Sequence, residues 1–143
     1  MRKPSNAEKR VLVVDDSEVI ATTLAMVLRS AGFHAVAASG GRHALALLQS
    51  GSLDLLLSDV MMPDVSGVEL AIEATKSRWV RKVLLMSGVS ATADLLGNAR
   101  KLGYNFEILA KPMHPTEVID RIHGVLNAAV KGTSVKRGRP VAG

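Results

Sequence analysis

Carboxylates, a lysine and a serine stand at repeated positions in this chain, each directly after a short apolar run. Val11-Leu-Val-Val14 ends on Asp15-Asp16, Leu55-Leu-Leu57 leads to Asp59, Val83-Leu-Leu-Met86 ends on Ser87, and Phe106-Glu-Ile-Leu109 leads to Lys111. If the runs are strands of one parallel sheet, three acids, one ammonium and one hydroxyl gather on a single edge. Carboxylates without sulfur partners suit a hard divalent cation, Mg2+ above all, completed by water and a backbone carbonyl. Without cations, such carboxylates repel one another and hold their protons more tightly. A metal and Lys111 relieve that repulsion and can neutralise a phosphoryl group in transfer.

The elements that position these residues follow from periodicity. Apolar runs of four to five residues, covered on both faces, read as buried parallel strands at 11–14, 54–58, 82–86 and 106–109, with a weaker one at 34–38. Between them, apolar residues recur at helical spacing. Ser17 caps a helix with the stripe Ile20, Leu24, Val27, Leu28 and Ala31, closed by Gly32. A short helix runs through Ala44–Leu48, a third over 66–76 and a fourth from a Ser90 cap to Lys101. Pro115 opens a fifth, with Val118, Ile119, Ile122, Val125, Leu126 and Ala129 as its stripe. Strand and helix alternating five times predict an α/β fold: a doubly wound, five-stranded parallel sheet with helices on both faces. Ligands of such sheets bind outside the carboxyl ends of the strands. Asp59 is followed by a Pro63-to-Gly67 loop in which Asp64 reads as a turn residue rather than a ligand.

The 143 residues predict one domain over 9–130, a polar leader over 1–8 and a basic tail over 131–143. The core is aliphatic, since the chain has only two Phe, one Tyr and one Trp. No cysteine is present, which excludes disulfides and thiolate metal sites. No apolar run is long enough to span a bilayer, and the first residues lack a signal-type apolar region, so a cytoplasmic protein is expected. The net charge of +5 comes from the two ends, leaving the body slightly acidic. His34, His43, His114 and His123 show no metal-ligand spacing.

Taken together, Val13-Val14-Asp15-Asp16, Asp59 with Met62-Pro63 and Gly67, Ser87-Gly88 and Lys111-Pro112 resemble the receiver domain of two-component response regulators. The resemblance covers roughly residues 9–130. It implies that Asp59 is a phosphoacceptor, served by a sensor histidine kinase or a histidine phosphotransfer protein. It further implies that Asp15, Asp16, Asp59 and the Met61 backbone carbonyl hold Mg2+, that Ser87 and Lys111 contact the phosphoryl group, and that Met61 and Val89 flank the path of a hydrolytic water. Ile108 departs from the pattern, because an aromatic residue often stands there. The implied role is a phosphorylation-controlled switch or relay rather than a separate enzyme, with an unknown downstream effector. Two other readings fit parts of the pattern. A Mg-dependent phosphatase with Asp59 as nucleophile would want a second acid where Met61 stands. A constitutive binding module would not need the complete acidic set. Separately, Arg137-Gly-Arg139-Pro140 resembles the core of an AT-hook, which implies weak DNA contact through Arg137 and Arg139 beside the alternative of a merely solvated basic tail.

Overall fold

The computed structural model describes residues 9–49, 52–88, 93–111 and 113–132, with side chains omitted at 93 and 129–132. Val89, the expected Ser90 cap, Pro112 and the tail residues Arg137 and Arg139 lie outside the described residues. The elements alternate as expected: β1 (Arg10–Val14), α1 (Glu18–Ser30), β2 (His34–Ala38), α2 (Gly41–Leu48), β3 (Leu53–Asp59), α3 (Gly67–Lys76), β4 (Val80–Ser87), α4 (Ala93–Lys101), β5 (Glu107–Ala110) and α5 (Pro115–Gly132). The strands form one sheet in the order β2-β1-β3-β4-β5, and every neighbouring pair is parallel.

The unbroken apolar runs are explained by two cores on one sheet. Val11, Val13, Leu55, Leu57, Leu84 and Met86 face α1 and α5, while their alternates Leu12, Val14, Leu56 and Leu85 face α2, α3 and α4. A period of two, satisfied on both faces, makes the middle of these strands apolar at consecutive positions, with polar residues toward their ends. The order reverses between β1 and β3, so the crossovers on the two sides diverge there and leave a crevice at the strand ends.

Several boundaries and faces differ from the sequence expectation. β3 extends to include Asp59, and β5 begins at Glu107, one residue late. Phe106 precedes the strand, yet it still packs with Ile108 on the α4 side, its ring stacked on Tyr104 at 5.8 Å. The expected stripe of α1 is rotated. Ala21, Ala25 and Leu28 are buried, whereas Ile20 is 42% exposed. Small alanines allow the helix axis close to the sheet, which moves the larger Ile20 to the rim.

Caps fix the loops that carry the site. Ser17 Oγ accepts from the Ile20 amide at 3.3 Å. Gly32, at φ 100°, closes α1 as the amides of Gly32 and Phe33 donate to Arg29 and Leu28 carbonyls, a Schellman closure. Ser66 and Glu69 form a reciprocal capping box on α3, at 3.0 and 3.2 Å. The N-cap of α2 is Gly40, which has no side chain to cap the helix, and Asp64 does so from the β3–α3 loop. Its carboxylate accepts from the amides of Gly41 (3.2 Å), Arg42 (3.0 Å) and Val65 (2.7 Å). Asp64 is therefore a turn residue, as expected, and also a cap for a distant helix.

The amides of Arg42 and Val65 hold the Asp64 carboxyl below its ordinary 3.8. A depressed carboxylate adds stability above its unfolded value, and that stability is lost as pH falls through the folded value. Asp64→Ala should cost about 0.5–1 kcal/mol at neutral pH, the lower part of the capping range because the group is exposed and screened. Denaturant titrations should show the gap narrowing as pH falls below 3.8 and closing once the folded carboxyl itself takes up a proton. Coincident neutral-pH curves would show that Asp64 does not support α2.

Candidate functional site

β1 and β3 are adjacent, with Val14 level with Ser58, so Asp15 and Asp59 leave the sheet side by side. Oxygens of Asp15, Asp16 and Asp59 lie within 4.8 Å of one another. Asp15 is 1% exposed and Asp59 8%, while Asp16 faces solvent. The Asp15 amide continues the sheet ladder to Ala38 O at 3.2 Å, and its Oδ1 accepts from the Ser17 amide at 2.9 Å. These bonds seat Asp15 between the end of β1 and the Ser17 cap of α1, while its neighbour Asp16 projects outward.

Lys111 reaches the acids from β5. Its Nζ lies 3.2 Å from Asp15 Oδ2 and 3.4 Å from Asp59 Oδ1. Its amide donates to the Ser87 carbonyl at 2.9 Å, extending the β4–β5 ladder in which Ser87 pairs with Ala110. The hydroxyl-bearing strand end and the lysine are thus tied through backbone. An apolar pocket of about 240 Å³ flanks the lysine stem, lined by Ile20, Leu24, Met113 and Val118 among others.

The backbone at Asp59 is held from three sides. The Val60 amide donates to Met86 O at 2.9 Å, the buried Ser58 hydroxyl donates to Asp59 O at 2.9 Å, and the Gly67 amide donates to Val60 O at 2.8 Å. The first turn of α3 lies so close that a Cβ on Gly67 would overlap the Asp59 carbonyl. Ser58 escaped the sequence reading, although a hydroxyl inside a leucine run is itself a signal of a buried polar contact. Gly67 was legible only as loop punctuation.

Electrostatics follow from this packing. Burial raises the Asp59 carboxyl above 3.8, and Asp15 and Asp16 push the same way against the Lys111 ammonium. For Lys111, burial works to lower the value, but Asp59 and Asp15 outweigh it and hold the ammonium above 10.5. Three converging carboxylates share one lysine, so negative charge is left over. That surplus, the close oxygens and the absence of sulfur donors fit a hard divalent cation. Among the described residues, this is the group of acids or histidines able to hold one.

The remaining expected site residues are placed as follows. Met61 is 48% exposed on the loop after Asp59, Ser87 is half-buried at the end of β4, and Ile108 is half-buried on β5. Among the described residues no helix is long and apolar enough to cross a membrane.

A carboxylate triad and a lysine at the carboxyl edge of a 2-1-3-4-5 sheet define the class: a doubly wound α/β domain with an acidic pocket at its switch point. Residues 11–123 match the family model of the response regulator receiver domain, and the chain belongs to that family. It is 31% identical over 121 residues to the response regulator receiver protein CpdR of Brucella abortus, covering 85% of this chain and 99% of that protein. It is 30% identical over 118 residues to the cell cycle response regulator CtrA of Brucella ovis, covering 82% of this chain but only 50% of that protein. Among solved structures, a CheY-like receiver domain from Methanospirillum hungatei superposes with a TM-score of 0.75 at 26% identity, over 86% of this chain and 97% of that one. TrrA of Thermotoga maritima, solved in complex with Mg(2+)-BeF, superposes with a TM-score of 0.68 at 31% identity, over 81% and 97%. The chain is thus a receiver domain of two-component signalling, with the five-stranded fold and acidic cluster of that family.

Proposed function

We propose that Asp59 accepts a phosphoryl group from a phosphohistidine on a kinase or phosphotransfer protein, and that this modification is the signal the chain carries. The observation that supports it most is the bridge of Lys111 Nζ between Asp15 and Asp59 beside a third acid. In the transfer, an Asp59 oxygen attacks phosphorus in line, a P–O bond forms as the P–N bond breaks, and the freed imidazole nitrogen takes up a proton. Buried ties to Met86, Ser58 and Gly67 keep the nucleophile's backbone fixed, which contributes by orientation. Lys111 then turns from the carboxylates to the new phosphoryl oxygens, and the Ser87 hydroxyl donates to one of them. Asp15, Asp16, Asp59 and the Met61 carbonyl would hold Mg2+, which when bound supplies a Lewis acid that offsets charge on the transferring oxygens. TrrA's complex with magnesium supports this choice of ion.

Incubation with a small phosphodonor and Mg2+, followed by intact-mass measurement, tests the reading. One added phosphoryl group, lost when a chelator is present, is the expected result. No uptake, or uptake indifferent to the chelator, overturns it.

Lifetime is a second expectation. The Met61 side chain offers only a weak thioether acceptor and that of Val89 no polar atom, so neither side chain holds a water firmly behind the phosphorus by hydrogen bonding. The phosphorylated state should persist without an auxiliary phosphatase, and polar replacements at both positions should shorten it roughly tenfold, below the full contribution of a general base. Time-resolved mass measurement after donor removal checks this. Rapid decay unaffected by those replacements counts against it.

A further inference from the structure

β4 and β5 end together, with Ser87 level with Ala110, but they do not start together. β4 runs for 8 residues from Val80 and β5 for only 4 from Glu107, and their pairing begins where Leu84 meets Glu107. Residues 80–83 of β4 therefore have β3 on one side and no strand on the other. A cleft of about 220 Å³ opens beside them, at the pole opposite Asp59. Thr75 comes to it from α3, Arg81 and Lys82 from β4, and Asn105 and Phe106 from the turn before β5. Val125 and Ala128 of α5 supply an apolar wall.

The groups in the cleft are unusual for a strand start. Phe106 is half-buried and its ring stacks on Tyr104, centroids 5.8 Å apart and planes at 17°, so a second ring fixes its orientation. Lys82 is half-buried as well, and among the described residues no acid pairs with it. Arg81 is exposed and shares Asp54, 3.4 Å away, with the Arg10 amide at 2.7 Å. Cations at helix ends complement the negative end of a dipole. These two stand on a strand, where dipoles largely cancel, and have no such reason. The acid that lines the cleft, Glu107, is engaged by Arg121 at 3.4 Å. A half-buried ammonium without a carboxylate, beside a fixed aromatic ring, suits an anion that carries a flat ring of its own.

We propose that this cleft binds an adenine mononucleotide, at a site separate from Asp59. The base stacks on Phe106, the contact that makes aromatic side chains platforms for nucleobases. The Asn105 amide offers one donor and one acceptor, the pattern that matches N6 and N7 of adenine. The phosphate lies against Lys82 and Arg81 in charge-assisted hydrogen bonds, with the Thr75 hydroxyl as a further donor. Glu107 is the carboxylate available to the ribose hydroxyls. Size limits the ligand. The cleft is smaller than the pockets of about 300–1,000 Å³ that enclose a whole drug-sized ligand. It takes one base and leaves the phosphate at the mouth, where Arg81 is exposed. Arg81 is the second of the 8 residues of β4 and Ser87 the last. That places the cleft roughly 20 Å from the phosphoacceptor edge, twice the screening length of about 10 Å at 0.1 M salt. Nucleotide charge and phosphoryl charge are therefore felt independently, and the cleft is a second input to the domain.

The test is isothermal titration calorimetry of the full chain with adenosine 5′-monophosphate, in chelator so that no metal at the acidic pole holds the phosphate. One-site binding with a dissociation constant on the order of 10–100 µM is expected for a ligand of this size. Adenosine, which lacks the phosphate, and ribose 5-phosphate, which lacks the base, should each bind about tenfold more weakly. Guanosine 5′-monophosphate should also lose about tenfold, because its edge does not match Asn105. Phe106→Leu keeps an apolar side chain but no ring and should weaken binding about tenfold. Lys82→Gln should do the same and remove most of the advantage over adenosine. Arg42→Gln, at the other pole, should change the affinity less than about twofold. Thermal melting checks that each variant is folded, and the ligand series on the wild type is decisive without them. No binding up to about 1 mM nucleotide overturns the proposal. So does equal affinity for ribose 5-phosphate or for guanosine 5′-monophosphate, which would show a site that reads bare phosphate or any base. Wild-type affinity in folded Phe106→Leu and Lys82→Gln, or an equal loss in Arg42→Gln, overturns it as well. None of these outcomes depends on whether Asp59 is phosphorylated, so they stand apart from the test of the phosphoacceptor.

Discussion

Asp59→Asn is expected to take up no phosphoryl group, yet to melt a few degrees higher than the wild type in metal-free buffer at neutral pH. The first half follows because the amide is a poor nucleophile beside Lys111. The second follows from the charge surplus. In the folded chain burial, with help from Asp15 and Asp16, raises the Asp59 carboxyl above 3.8 in spite of Lys111. Between the unfolded and folded values the folded protein binds a proton that the unfolded chain has released. Stability therefore falls as pH rises through that window and stays reduced above it. Asparagine has no such proton, so its advantage is largest at neutral pH and fades as pH drops through the raised value toward 3.8. A gain of a few degrees corresponds to about 1 kcal/mol in a chain of this size. Mg2+ should reverse the ranking, because a ligand that binds only the folded wild type adds about 2.7 kcal/mol at a hundred times its dissociation constant. Melting curves at several pH values, with and without Mg2+, check all three statements. A variant less stable than the wild type in chelator at neutral pH would show that the carboxylate is not strained.

Gly67→Ala should be the more damaging single methyl group. Its Cβ would overlap the Asp59 carbonyl and crowd the Val60 Cα, and all of these are backbone atoms that cannot rotate away. Only a shift of α3 or of the β3 end accommodates it. Overpacking of this kind costs about 3 kcal/mol or more, lowering the melting temperature by roughly 10 °C. Phosphodonor labelling of the folded fraction, measured well below the melting point, should fall about a hundredfold, the scale set by a misplacement near 1 Å. Gly97→Ala is the contrast. Nothing lies within 4 Å of a Cβ there, and the residue sits inside α4. That change should stabilise by about 0.5–1 kcal/mol through helix propensity. Equal effects at the two glycines would refute the close approach of α3 to Asp59.

How much of this could be read from the sequence varies from residue to residue. The runs Val11–Val14 and Leu55–Leu57 are apolar without interruption, and only a strand covered on both faces tolerates that. The alternation with helical stripes then fixed a parallel sheet, and a parallel sheet delivers Asp15, Asp16, Asp59, Ser87 and Lys111 to one edge whatever the details of packing. The main site residues were legible because chain direction alone places them. Local periodicity could not say which helical face turns inward. Alanine serves both surface and close contact, so the burial of Ala21 and Ala25 in place of Ile20 was decided by how near α1 lies to β1 and β2.

Contacts between residues distant in sequence were decided by tertiary structure in the same way. Asp64 reads as a turn aspartate, and only the juxtaposition of the β3–α3 loop with the start of α2 makes it a helix cap. Gly67 reads as a breaker, and only the approach of α3 to the Asp59 peptide makes a side chain there intolerable. The bridge from Lys111 to Asp15 joins residues at opposite ends of the domain's chain path, and its geometry depends on how β4 separates β5 from β3. The sequence by itself determined which chemical groups meet at the strand ends, because periodicity and chain direction are local properties. Their distances, burial and charge balance came from tertiary packing, because those quantities depend on elements that local sequence does not connect.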